Sequence, residues 1–97
     1  MLVAVSGRGP SSGNMTLFAD GAVARWVEYR GVDAQQVIYQ IGTFRVDAQG
    51  LAFSLREAIS SSSYEWPVRG TWDGQGFSIR YADPGDGPDI VETYRRR

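Results

Sequence analysis

The 97-residue chain contains no cysteine and no histidine, and all ten of its basic residues are arginines. Without cysteine there is no disulfide framework, no thiolate nucleophile and no sulfur-ligated metal. Without histidine the chain lacks the commonest general acid/base and the commonest zinc ligand, which removes serine triads with a histidine base and most transition-metal sites. Without lysine it forms no Schiff base. The formal charge of −1 supplies no global field to draw in nucleic acid or an acidic membrane. No apolar run approaches the roughly 20 residues of a membrane-spanning helix. Nor does a charged start followed by an apolar core, the mark of a signal peptide, appear at Met1. The expectation is a cytoplasmic chain, unless an export signal has been removed ahead of residue 1. It needs no cofactor or metal and binds neither nucleic acid nor membrane.

What is present is alternation. Leu51, Phe53 and Leu55 alternate with Ala52, Ser54 and Arg56; Phe77, Ile79 and Tyr81 with Ser78 and Arg80; Tyr64, Trp66 and Val68 with Glu65 and Arg69. Period-two patterning of this kind marks half-buried strands. Turn signals fall between them at Asp20-Gly21, Asp47 to Gly50, Asp73 to Gly76 and Asp83 to Asp89, where Asp and Gly suit the positive-φ positions of tight hairpins. The pattern predicts strands near 2–6, 14–19, 22–30, 36–47, 51–59, 63–72, 76–82 and 89–95. Residues 7–13 form a flexible loop or flap, residues 60–63 a soft link, and 31–35 a short helical turn. No linker divides residues 1–97, and a single domain of this size buries roughly 60 to 70% of its unfolded surface.

One phrase is written twice. Gly42-Thr43-Phe44 leads into Asp47-Ala48-Gln49-Gly50-Leu51, and Gly70-Thr71-Trp72 leads into Asp73-Gly74-Gln75-Gly76-Phe77. Two copies of one hairpin at this spacing fit a meander. Tyr39 and Ile41 are one residue out of phase with Phe44 and Val46, and a bulge at Gly42-Thr43 would bring both pairs to one side.

Eight short antiparallel strands joined by hairpins hide their apolar faces and remove their edges by closing up. The expected fold is therefore all-β: an eight-stranded up-and-down antiparallel meander closing into a small barrel, with a two-sheet sandwich as the alternative. Homodimerisation through strand edges would suit either. The Gly-x-aromatic triplet Gly70-Thr71-Trp72, its echo Gly42-Thr43-Phe44, the run of hairpins and Arg95 on the last strand resemble the calycin barrels, the lipocalin-like and avidin-like proteins. In that family a basic residue on the last strand packs over the tryptophan to close one barrel end. The resemblance implies barrel architecture and carries over no binding residue.

The function expected from this architecture is binding of a small, mostly apolar ligand in the interior, lined by Trp26, Tyr39, Phe53, Trp66, Trp72 and Tyr81. Continuing the alternations also turns Glu57, Glu92 and Glu28 toward the lumen or its rim. A desolvated glutamate beside a tyrosine hydroxyl would suit a cofactor-free isomerase or cyclase. The plainer alternative pairs these glutamates with Arg25, Arg56 or Arg95 at solvent-wet strand ends. A third reading is a structural or partner-binding module whose barrel is filled solid. Asp83, Asp86 and Asp89 are read as a turn rather than a calcium loop, because EF-hand loops space their ligands differently and end in a glutamate.

Overall fold

A computed structural model of the chain describes residues 1–30, 35–58 and 64–96. The helical turn expected at 31–35 lies outside them except for Gln35, which opens a strand, and the link expected at 60–63 lies outside them. Eight strands run in sequence: β1 (Leu2–Ser6), β2 (Ser12–Leu17), β3 (Ala22–Arg30), β4 (Gln35–Asp47), β5 (Gly50–Glu57), β6 (Trp66–Trp72), β7 (Gly76–Tyr81) and β8 (Ile90–Arg95). They form one antiparallel sheet in the order β1-β8-β7-β6-β5-β4-β3-β2. From β2 to β8 each strand therefore pairs with its sequence neighbours, and β1 returns to pair with β8. The sheet curls into a nearly closed barrel whose seam lies between β1 and β2, which approach each other without a hydrogen-bonded ladder. The sandwich alternative is excluded by this single continuous sheet.

Apolar side chains with period two fill the interior: Val23 and Val27 from β3, Leu51, Phe53 and Leu55 from β5, Val68 from β6, Phe77 and Ile79 from β7, and Ile90 and Tyr94 from β8. A file of rings crosses it, with centroids 6.3 Å apart for Phe44–Phe53, 5.7 Å for Phe53–Phe77 and 5.2 Å for the stacked pair Phe77–Tyr94. Tilted and offset ring pairs at these spacings are favoured by the aromatic quadrupole and give the core geometry as well as burial.

The duplicated phrase builds one device twice. In each copy the aspartate accepts backbone N–H bonds from its own turn: from Gln49 to Asp47 at 2.9 Å, and from Gln75 and Gly76 to Asp73 at 2.9 and 2.8 Å. Each aspartate also receives a guanidinium from a strand 22 residues further on, Arg69 on Asp47 and Arg95 on Asp73. The repeat thus extends to its arginine clamp, an element the sequence pattern did not mark. Hydrogen bonds from Arg69 and the Gln49 amide hold the Asp47 carboxyl down to about 2. Asp73 is held below the usual carboxylate range by the Gln75 amide, with Gly76 and Arg95 adding to it.

Two expectations are corrected here. The β4 register runs unbroken against both β3 and β5, so there is no bulge at Gly42-Thr43; Phe44 faces inward while Tyr39 and Ile41 face outward. Gly42 accommodates close approach instead: a Cβ on it would lie 1.8 Å from the Ser54 carbonyl oxygen. The supposed flap is anchored. Arg8 Nε donates to Asp83 at 2.8 Å and its Nη2 to the Gly85 carbonyl at 2.9 Å, and Pro10 is buried. Asp83 is further engaged by the Gly85 amide at 2.8 Å and Asp89 by Arg80 of β7 at 3.0 Å, so two of this loop's three carboxylates are spent on structure.

Candidate functional site

Two places in the barrel carry chemistry, an internal polar cluster and an open slot beside the seam. The cluster begins on β3, where Val23, Arg25 and Val27 share the inward face. Arg25 is 2% exposed, and an uncompensated charge so placed would be strongly destabilising. Its compensation comes from across the barrel and from the next strand: Nη2 donates to Glu92 Oε2 at 2.6 Å, and Nη1 to Oε1 of Gln40, its partner on β4, at 2.7 Å. Its guanidinium carbon also lies 5.5 Å from the centroid of the Trp66 ring, a cation–π distance. Arg25 Nε is buried without a hydrogen-bond partner among the described residues.

Glu92 is 0% exposed and both its oxygens are engaged. Tyr81 donates its hydroxyl to Oε2 and Tyr94 to Oε1. Trp66 stands edge-on to Tyr81 at 5.0 Å and completes one wall. Burial works against the charged form of Arg25, but the neighbouring Glu92 carboxylate, with Tyr94 and Tyr81 adding to it, holds the guanidinium above its ordinary value. Burial pushes both tyrosine hydroxyls up, and the adjacent Glu92 carboxylate pushes them further; Tyr29 adds to the effect on Tyr81.

This gives an alkaline prediction. A group whose folded pKa is raised contributes stability that is complete below its unfolded value, here near 10, and lost as the pH climbs above it. Tyrosinate absorbance from Tyr81 and Tyr94 is therefore expected only together with loss of the far-ultraviolet β signal. Tyr81→Phe with Tyr94→Phe removes that late step. Ionisation of all five tyrosines in a chain still folded by circular dichroism would contradict it.

The slot lies where β1 begins and β2 and β8 end. Its volume is about 700 Å³, and it is walled by Met15 and Leu17 of β2, Trp72 of β6, Phe77 of β7 and Tyr94 of β8, with Arg95 and Arg96 at its margin. It exists because the seam has no ladder, so the side chains of β2 and β8 stand apart there. Trp72 is 52% exposed, a large ring held at a wet edge.

The residues expected to line a lumen are thus distributed over three environments. Trp66, Tyr81 and Glu92 meet in the polar cluster. Phe53 is core at 3% exposed, and Trp72 belongs to the slot. Trp26 and Tyr39 do not face the interior: they oppose each other on the outer face of β3 and β4, and the inward places are taken by Arg25 and Gln40. The physical reason is phase, since Val23 and Val27 fix the inward face of β3 and carry Arg25 with them. Glu57 sits exposed at the end of β5, and Glu28 shares the outer face with Trp26, where Arg30 approaches it at 3.3 Å. The pairing of Glu92 with Arg25 occurs deep inside and not at a strand end. Met15, Leu17 and Phe77 were not singled out from the sequence as site residues; Met15 and Leu17 fell within the strand expected near 14–19, and Phe77 on the apolar face of the strand near 76–82.

Among the described residues no group of three or more acidic side chains is placed to hold a metal ion, and no helix is long and apolar enough to cross a membrane. No family model, curated protein or solved structure matches the chain. The reading of its function rests on these two sites.

Proposed function

We propose that the chain is a small-molecule-binding barrel that takes a small, mostly apolar ligand in the slot beside the β1–β2 seam. The observation that carries this reading is the slot itself. Its volume of about 700 Å³ falls within the roughly 300 to 1,000 Å³ usual for ligand pockets, and its walls join thioether, aliphatic and aromatic side chains to the polar Asn14, Thr16 and two arginines. Arg95 is held by Asp73, whereas Arg96 is exposed beside the opening. The site therefore suits an apolar body ending in an acceptor or anionic group. Trp72 and Arg95 both line the slot, at one end of the barrel. A lumen ligand has less support, because rings and the polar cluster occupy the interior.

Proton-transfer chemistry at Glu92 is the weaker reading. A general base must come within hydrogen-bond reach of the proton it removes, and Glu92 is enclosed with both oxygens bonded.

Calorimetric titration with dodecanoate and dodecanol tests the proposal. Both are expected to bind, the carboxylate more tightly, and Trp72→Ala is expected to weaken each at least tenfold, or about 1.4 kcal/mol. Absence of heat and of any shift in melting temperature with either compound, or binding indifferent to Trp72→Ala, would rule out this site.

A further inference from the structure

Strand β4 is apolar on both faces. Ile38 and Phe44 point inward, while Val37, Tyr39 and Ile41 point outward, in a register that is unbroken along its whole length. An outward face of a barrel strand is ordinarily polar, so this one is out of place as a water-facing surface. Val37 and Tyr39 are 49% and 47% exposed, and Phe18, at the nearby β2–β3 turn, is 48% exposed. Beside them the small side chains of Ala22 and Ala24 leave a shallow hollow of about 490 Å³, with Phe18, Tyr39 and Ile41 on its walls and Arg56 and Glu65 at one margin. Contiguous exposed apolar surface bordered by charge is the usual mark of an interaction site.

We infer that this face is the interface for a second copy of the same chain. The patch is self-complementary in shape, since it carries both projecting rings and a floor of small residues that a two-fold partner's rings would enter. It is self-complementary in charge as well. Extending the β5–β6 register beyond Leu55↔Trp66 sets Arg56 beside Glu65. Glu65 nevertheless accepts a bond from Ser54 Oγ at 3.1 Å, and no ion pair forms on Arg56 among the described residues. In a two-fold interface the same surface meets itself, so an axis passing between Arg56 and Glu65 would set the Arg56 of each copy against the Glu65 of the other. A formal charge of −1 sets little repulsion against association. A stable interface needs about 800 Å² from each partner, roughly one-eighth of the 6422 Å² surface of this chain. This inference does not depend on the slot, which opens at the barrel's seam.

Sedimentation velocity across a broad concentration range is the test. The parent chain is expected to sediment as a dimer, at twice the 10.7 kDa of one copy. Tyr39→Glu is expected to give a monomer that keeps the parent's circular dichroism. Arg56→Glu is expected to weaken dimerisation at least tenfold, and Arg56→Glu combined with Glu65→Arg to restore it, a readout that survives even if Tyr39→Glu fails to fold. A parent chain that remains monomeric throughout overturns the inference. So does a dimer that persists in folded Tyr39→Glu, one that the charge swap fails to restore, or one abolished only by changes at the free edges of β1 and β2.

Discussion

Glu92→Leu is expected to destabilise the barrel by about 3 to 5 kcal/mol, the range for breaking a buried ion pair by removing one partner. Against the 5 to 15 kcal/mol typical of a whole domain, that is enough to lower the melting temperature by roughly 15 °C or more. The loss comes less from the attraction removed than from what is left behind. Arg25, 2% exposed, keeps its charge with only Gln40 and the Trp66 face to offset it. The hydroxyls of Tyr81 and Tyr94 lose their acceptor too, and an unsatisfied buried donor costs about 1 to 3 kcal/mol.

The same reasoning fixes the sign of a compensating change. Adding Arg25→Met to Glu92→Leu removes the stranded cation and is expected to recover at least half of the loss, and adding Tyr81→Phe and Tyr94→Phe to recover most of the remainder. Thermal and urea unfolding of the series measures this directly. A Glu92→Leu chain as stable as the parent would show that the pair contributes nothing. A double variant no better than the sum of its two single variants would show that the residues do not act as one unit. If the series behaves as expected, the cluster specifies the arrangement of β3 against β8 across the barrel, and its chemistry is structural.

Where the sequence could be read, one face of a strand was apolar and the other was not. Leu51, Phe53 and Leu55 admit one orientation only, and the hairpin signals between strands follow from local Asp and Gly geometry. The eight-stranded meander was legible for that reason. On β3, local pattern favours the large Trp26 over the charged Arg25 for the interior. The phase is set by Val23 and Val27, and the charge they carry inward is tolerated only because Glu92, 67 residues away, and Gln40 on the neighbouring strand compensate it. On β4 both faces are apolar, so alternation alone cannot choose between Tyr39 and Gln40. The slot has no local signature, because it is a product of closure, formed where β1 and β2 meet without pairing. Trp72 was identified as a site candidate from its ring and its place beside a turn. Its partners Met15, Leu17 and Phe77 come from strands whose proximity only the closed barrel establishes.

Gly42→Ala is expected to destabilise the chain by about 3 kcal/mol or more, at or above the upper end of ordinary overpacking, whereas Gly74→Ala should cost only about 1 kcal/mol. The contrast separates two uses of glycine within one duplicated phrase. Gly74 sits in its turn at φ +87° with open space around it, so an added methyl meets only backbone strain. Gly42 has no such φ, and its difficulty is a neighbour: the added Cβ would lie 1.8 Å from the Ser54 carbonyl oxygen. That atom is backbone of the paired strand and cannot rotate away, so β4 and β5 must part where the sheet curls. Gly76, whose Cβ would lie 2.0 Å from the Tyr94 carbonyl, should behave like Gly42. Urea unfolding of the three variants distinguishes the cases. Gly42→Ala at parental stability would mean that β5 shifts freely at this point, and curvature would then have to come from the side-chain core alone. A large loss at Gly42 and Gly76 with a small one at Gly74 would place the origin of the barrel's curvature in close backbone contact at these two strand glycines, Gly42 on the inner face and Gly76 on the outer. The repeated phrase would then serve closure first, with its turns secondary.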